Sequence, residues 1–163
     1  MLLVIAIIGI LASVAFAEIS SARKRTIYVR ALSELHSMET ALFFYQDTHG
    51  YTFPADVDRS IPQGLEAYLH NPADVGAWPD APFKGSVYDW ENWAPGDLSY
   101  PPYEQVYQIS IRFCNISGTV CNFPDEPWAI GFDKNSAMYR CLQGPCRSHP
   151  TKPVSHPGYC VNC

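Results

Sequence analysis

The sequence predicts an α+β protein in which one long N-terminal helix, about residues 2–48, packs against a small antiparallel β-sheet. Three observations predict this class. The chain begins with an apolar run that contains no charge and no proline, Met1–Ala17. An apolar stripe then recurs at three- and four-residue steps, which is the helical period. Later segments alternate apolar and polar residues, which is typical of half-buried strands.

The apolar run would span ~25 Å as a helix, slightly less than a hydrocarbon core of ~30 Å. Three roles are open for it. It is a removable secretory signal with a small-x-small site at Ala15–Ala17, a plain membrane anchor, or an anchor that later packs against copies of itself in a filament. The basic residues that follow would hold that side of a single-span protein in the cytoplasm, which fits poorly with a cysteine-rich remainder. They are Arg23, Lys24, Arg25 and Arg30.

The helix is predicted to continue beyond the apolar run, with one apolar face directed at the sheet. Asp47, His49 and Gly50 form its stop signal, because glycine readily takes the left-handed conformation after a helix. Gly9 lies in the apolar half, where it allows close helix packing at a cost of up to ~1 kcal/mol relative to alanine. The face directed at the sheet consists of Ile27, Ala31, Leu35, Met38, Leu42 and Tyr45.

The length of 163 residues suits a single globular head on this stem. We divide the chain into residues 1–25, the transmembrane or assembly half of the helix, and residues 26–163, the head with the amphipathic half. The net charge of -5 argues against a generally basic nucleic-acid binder. The 14 prolines and 10 glycines predict a head rich in loops.

Residues 71–103 combine six prolines with Trp78, Trp90 and Trp93, which predicts a long surface loop anchored by aromatic side chains. An alternative is that the tryptophans bind sugars or a protein partner. Strands are predicted at Tyr107–Phe113 and in a hairpin formed by residues 128–132 and 137–142.

Six cysteines lie at the C-terminal end of the chain, which predicts disulfides and an exported location. A Cys114–Cys121 bond would close a tight loop and is the favoured pairing. The sequence alone does not choose among the other pairings. Cys160 and Cys163 also form a CxxC pair, but a redox role lacks the helix N-terminus that activates such thiols. Zinc is the other alternative, with ligands from Cys141, Cys146, His149, His156, Cys160 and Cys163.

The segment LLVIAIIGILASVA, at residues 2–15, resembles the N-terminal helix of type IV pilins and type II secretion pseudopilins. The resemblance implies a pilin fold, a basic leader, a methylated phenylalanine and a glutamate before the run. Since these features are absent from the sequence, we expect it to lack about five mature residues of the ~20 that a span requires. HGYTFP at 49–54 is similar to the family's helix-closing signal, and QGLEAYL at 63–69 resembles a short pseudopilin helix. The resemblance also suggests local unwinding at Gly9.

The resemblance predicts a structural subunit of a type IV pilus-like extracellular filament, with possible roles in adhesion, twitching motility or DNA uptake. Its partners would be copies of itself, the membrane before assembly, the inner-membrane assembly machinery and the prepilin peptidase. The alternatives are a type II secretion pseudopilin and a monomeric membrane-anchored module that binds glycan or protein. The predicted assembly surface comprises Leu2, Leu3, Val4, Ile5, Ile7, Ile8, Gly9, Ile10, Leu11, Val14 and Phe16.

Two further sites are weighed. Asn115 lies in an N-glycosylation sequon. Asp89, Glu91 and Asp97 supply hard oxygen ligands for calcium, as in the major pseudopilin loop, although a solvated acidic loop is the alternative. The five histidines have no evident nucleophile partner and no phosphate-binding glycine loop occurs, so we expect neither an enzyme nor a cofactor.

Overall fold

A computed structural model of the chain describes residues 2–57, 59–69, 77–95, 105–112, 136–144, 146–148 and 152–153. Its dominant element is α1, Leu2–Thr48, a continuous helix of 47 residues. At a rise of ~1.5 Å per residue it is ~70 Å long. A short 3-10 helix follows at Leu65–Tyr68. The long helix and its extent are as the sequence predicts.

The helix ends where the stop signal places it. Gly50 has φ +67°, and the N–H of Tyr51 donates to the carbonyl of Gln46 at 2.9 Å. The donor Tyr51 follows a left-handed glycine, and the acceptor Gln46 lies in the last turn of the helix. This is the hydrogen bond of the Schellman motif, which satisfies a terminal carbonyl of the helix. The predicted role of the glycine is therefore confirmed.

Three strands form one antiparallel sheet in the order β1-β2-β3. They are β1 at Val87–Trp93, β2 at Val106–Arg112 and β3 at Ser136–Gln143. Two short strands, β4 at Arg147–Ser148 and β5 at Lys152–Pro153, form a separate antiparallel pair. The described residues thus confirm the α+β class, with one long helix and a small antiparallel sheet.

The core lies between the second half of α1 and one face of the sheet. Because α1 contributes residues every three or four positions, they all lie on one side of the helix. Four of the six predicted stripe positions are fully buried, and Ile27 and Tyr45 are partly buried at its ends. The buried helix residues are Ala31, Leu35, Met38, Ala41 and Leu42, and they meet Tyr88, Trp90, Ile109, Ile111 and Met138 of the sheet.

Two strand predictions need revision. The predicted surface loop at residues 71–103 contains β1, so that part of the prediction is wrong. The strand predicted at Tyr107–Phe113 is confirmed as β2, but six of its seven residues are buried rather than alternately exposed. The segment 137–142 is confirmed within β3, whereas its predicted hairpin partner at 128–132 lies outside the described residues.

Candidate functional site

The first half of α1 is an exposed apolar stem, which we define as residues 3–19. Its most apolar window of 18 residues is 0% buried. Nine large apolar side chains of the predicted assembly surface are 49–74% exposed. Leu2 lies in the same helix, and a Cβ atom added at Gly9 would meet no atom within 4 Å. Close packing at Gly9 is therefore not made by any residue that the structure describes.

The helix is long and apolar enough to cross a membrane, judged by length and composition. This property is compatible with a membrane anchor or a signal sequence. The side chains of Arg23, Lys24 and Arg25 are exposed just beyond the stem. Cations at this position lie where a helix would leave the hydrocarbon for the headgroup region.

A first polar contact ties α1 to β1. The hydroxyl of Tyr88 donates to Oε2 of Glu34, and Nε of Arg30 donates to Oε1 of the same carboxylate at 2.5 Å. Burial, and then the bond to Glu34, raise the pKa of the Tyr88 phenol. Arg30 also donates to the main-chain carbonyl of Asp80 at 2.9 Å, so the helix is joined to a loop as well.

A second polar contact ties α1 to β3, on the other side of β2. Arg140 pairs with Glu39 at 2.5 Å, and both side chains are largely buried. The ring of the exposed His36 lies 3.0 Å from the same carboxylate. The second half of α1 is thus held to the head by apolar packing and by two carboxylates that belong to the helix.

The sheet face that points away from α1 carries a buried cluster of charges. Arg112 on β2 contacts the carboxylates of Asp89 and Glu91 on β1, the latter at 3.2 Å. Each of the three side chains is 5% exposed or less. Gln108 donates to Glu91 at 2.7 Å, and the backbone N–H of Arg59 donates to Asp89 at 2.9 Å.

The cluster contains more negative than positive charge. Burial, and then the neighbouring Asp89, raise the pKa of Glu91 against the opposing effect of Arg112. Asp56 lies at the exposed margin and accepts the backbone N–H of Asn92 at 3.4 Å. Burial of its carboxyl, and then Asp89, raise the pKa of Asp56 to about 6. Protonation of these carboxyls therefore relieves repulsion in the folded protein.

The expected solvated acidic loop is wrong for Asp89 and Glu91, because both are buried in a strand and paired with Arg112. Asp97 lies outside the described residues, so the calcium site stays a prediction. Among the residues that the structure describes, no group of three or more His, Cys, Asp or Glu side chains is arranged to hold a metal ion. The sequence analysis did not single out Arg112, although a charged residue inside the predicted strand Tyr107–Phe113 indicated a partner of opposite charge.

A disulfide joins Cys141, on β3, to Cys146, just before β4, with Cα atoms 5.4 Å apart. The prediction of disulfides in the chain is confirmed by this bond, whose pairing the sequence did not choose. A zinc site that used both of these cysteines as thiolates is incompatible with the bond. The other predicted cysteine, histidine and glycosylation positions, Cys114, Cys121, Cys160, Cys163, His149, His156 and Asn115, lie outside the described residues.

The three tryptophans predicted to anchor a loop are buried. Trp90 is 0% exposed, and Trp78 and Trp93 are each 7% exposed. The indole N–H of Trp90 donates to the carbonyl of Pro54 at 3.0 Å. Their rings belong to the head's packing, so none of these three offers an open face on which a sugar could stack.

Comparison with known proteins does not assign the chain to a family. No family model, curated protein or solved structure matches it. Function is therefore inferred from the stem, from the contacts that hold the helix to the head, and from the buried face of the sheet.

Proposed function

We propose that the chain is a structural subunit of a type IV pilus-like extracellular filament that polymerises through its hydrophobic N-terminal helix. The observation that carries the proposal is the exposed stem, whose apolar side chains point in all directions around the helix. Keeping them in water would cost on the order of 10 kcal/mol, at ~1.5–3 kcal/mol for each fully transferred side chain. The stem therefore needs lipid or other helices around it.

The stem could pass from the first of these environments, lipid, to the second, a bundle of other helices. A membrane would hold the stem before assembly, and the stems of other copies would surround it afterwards. An uncharged apolar helix suits both, because helices in lipid associate through van der Waals packing rather than through charge. The segment LLVIAIIGILASVA and its resemblance to pilins support the same order of events. Adhesion, motility or DNA uptake would then belong to the surface of the head.

The attachment of the head also supports assembly through the stem. The fully buried residues of α1 lie between residues 31 and 42, and the partly buried Tyr28 and Tyr45 pack beside them, all beyond the basic segment 23–25. Among the described residues, the stem takes no part in this packing, so a neighbouring copy could pack on it without displacing the head. A stem used only as a lipid anchor would satisfy the same geometry, and the experiment must separate the two.

The test compares filament formation with membrane retention in cells that export the chain. The double substitution Ile8→Ala with Leu11→Ala removes apolar packing surface and adds no charge. We expect the membrane fraction to keep this variant, while electron microscopy of sheared surface material shows several-fold fewer filaments. Val29→Ala is the matched control, since Val29 is 54% exposed but lies beyond the stem.

The wild-type chain gives the decisive result. Labelled filaments in the sheared fraction would support the proposal. Recovery only as dispersed, detergent-soluble protein would contradict it and favour the monomeric membrane-anchored module. Short filaments confined to the cell envelope would favour the pseudopilin alternative.

A further inference from the structure

The helix α1 carries a group of cations between the stem and the head. We define this group, the collar, as Arg23, Lys24 and Arg25, all of which are exposed. The stem ends before it at residue 19, and packing against the core of the head begins after it with the partly buried Tyr28. The collar is therefore accessible to whatever surrounds this part of the helix.

The collar lies at the depth of the lipid headgroups when the stem is in hydrocarbon. At ~1.5 Å per residue, it extends from ~6 Å to ~9 Å beyond residue 19. A bilayer that is ~40–45 Å thick and has a hydrocarbon core of ~30 Å has a headgroup layer of ~5–8 Å on each side. The long side chains of arginine and lysine can place their charges within this layer. The three charges thus lie close to the lipid phosphates.

The collar surrounds the helix instead of marking one of its faces. Successive residues of a helix are ~100° apart, so three consecutive side chains cover ~200° of its circumference within one turn. A protein that docked on one face would meet cations spaced three or four residues apart. A bilayer, in contrast, meets every side of a helix that crosses it. The arrangement therefore favours a membrane surface over a protein partner.

The sequence around the collar leaves it positive. The positions three and four residues away from Arg23 and Arg25 hold no acidic side chain, so ion pairs along the helix do not neutralise these two cations. Glu18, the acidic residue of the stem, lies five positions before Arg23. The next cation, Arg30, bonds to Glu34 instead. Because the whole chain has a net charge of -5, attraction to an anionic surface has to come from the collar and not from the total charge.

We propose that the collar binds the phosphate groups of anionic phospholipids in the membrane that holds the stem. Arginine and lysine donate charge-assisted hydrogen bonds to phosphate oxygens. A cation next to an anionic membrane surface strengthens binding about 5-fold. The inference rests on the proposed function in one respect, that lipid surrounds the stem before assembly. It names the class of lipid and does not require filaments.

The experiment measures how the full chain distributes between two kinds of vesicle. One kind is loaded with sucrose and contains phosphatidylcholine with about 30% phosphatidylglycerol, and the other contains phosphatidylcholine alone. The chain is added from dodecylmaltoside, with enough detergent left to allow exchange between vesicles, which are then separated by centrifugation. A second run exchanges the sucrose loading. We expect the wild type to favour the anionic vesicles at least roughly 10-fold at low salt.

Substitutions separate the collar from the total charge. Arg25→Gln should lower the ratio about 5-fold, whereas Arg25→Lys keeps the charge and should keep most of the ratio. Asp47→Asn is the control, because Asp47 is exposed near the other end of α1, ~33 Å from Arg25 along the axis. It should leave the ratio unchanged. The double variant has the net charge of the wild type and should nevertheless behave like Arg25→Gln.

Three results would overturn the inference. The wild type would distribute equally between the vesicles, or the double variant would behave like the wild type, so that total charge sets the ratio. In the third, Arg25→Gln would keep the ratio but lose chemical cross-linking between copies in neutral vesicles, which would assign the collar to a second copy.

The vesicle ratio and the filament test fail separately. An equal distribution would contradict the lipid preference and leave filament formation in cells unaffected. Absence of filaments from the sheared fraction would contradict the filament proposal and leave the vesicle ratio as it is. A chain that entered neither kind of vesicle would contradict the membrane stage on which both depend.

Discussion

Arg112 is the cation that pairs with both Asp89 and Glu91 in the buried charge cluster, and its removal gives the sharpest test of how the sheet is held together. The substitution Arg112→Met keeps a long apolar side chain and removes the guanidinium. Asp89 and Glu91 would then share a buried site without their cation. Removing one partner of a buried ion pair costs about 3–5 kcal/mol, because the remaining charge is uncompensated. We expect a loss of that size in the free energy of unfolding near neutral pH.

The loss in the free energy of unfolding of Arg112→Met should depend on pH, in a direction set by the raised pKa of Glu91. Its pKa in the folded protein lies above the usual value of 4.5, so the folded state binds a proton more tightly than the unfolded state. This contribution to stability is fully present at low pH and is lost as the pH rises through the folded pKa. Without Arg112 the pKa should rise further. The variant should therefore lose less stability at about pH 5 than at about pH 8.

The assay is urea unfolding of the full chain in micelles, followed by tryptophan fluorescence, since Trp90 is fully buried on the same sheet. Arg140→Met is the matched control. Its pair with Glu39 is more exposed, at 19% and 12%, so the remaining carboxylate is better solvated and the loss should be smaller than for Arg112→Met. Adding Glu91→Gln to Arg112→Met should recover part of the loss. A loss below about 1 kcal/mol for Arg112→Met, or the same loss at both pH values, would refute the reasoning.

Two further predictions concern the margin of this cluster and the disulfide loop. The pKa of Asp56 is raised from 3.8 to about 6, so the free energy of unfolding of the wild type should fall as the pH rises through this range. Asp56→Asn should flatten that part of the dependence of stability on pH. An unchanged dependence in the variant would contradict this prediction. Gly144→Ala should lower the unfolding midpoint at every pH, because φ is +74° and the added Cβ would lie 2.4 Å from the carbonyl oxygen of Gln105. Gly9→Ala is its control, since an added Cβ there meets no atom within 4 Å.

The elements that the sequence predicts well are those with a local period. The helix shows its period over many turns, and residues 107–112 of β2 alternate strictly. The helical pattern reports which side of the element is buried, whereas the alternation in β2 identifies a strand but not its burial, because both of its faces are buried. The stop at Gly50 was equally visible, because its left-handed conformation is a property of the residue itself.

The sequence analysis predicts a loop at β1 because the proline-rich composition of residues 71–103 was given more weight than the alternation within the strand. Its sequence VYDWENW alternates, with Tyr88 and Trp90 on the side of α1 and Asp89 and Glu91 on the other. The surrounding prolines favoured a loop, and the acidic residues suggested exposure. Burial of these residues depends on Arg112, which β1–β2 pairing brings opposite Val87. A pairing between distant segments cannot be derived from either segment alone.

The disulfide was predictable as chemistry but not as a pairing. Cys141 and Cys146 come together because the chain turns between them at Gly144, which has φ +74° and lies against the backbone of Gln105. The sequence shows the glycine and the two cysteines. The close approach to Gln105, which fixes the turn, belongs to the tertiary structure.

The two polar contacts of α1 also bear on how copies of the chain could be arranged. Glu34 and Glu39 are five residues apart, which places them ~140° apart around the helix. The buried Leu35 and Met38 lie between them in sequence. One carboxylate binds Tyr88 on β1, and the other binds Arg140 on β3, and these strands lie on the two sides of β2.

Contacts on both flanks of the buried stripe resist rotation of the helix about its own axis, which apolar packing alone resists weakly because it is non-directional. Since α1 is one continuous helix, fixing its rotation in the head also fixes which side of the stem faces which way. Stems that pack in a defined register would then present every head in the same orientation. Loss of either carboxylate should therefore disturb the order of an assembly more than the membrane retention of a single chain.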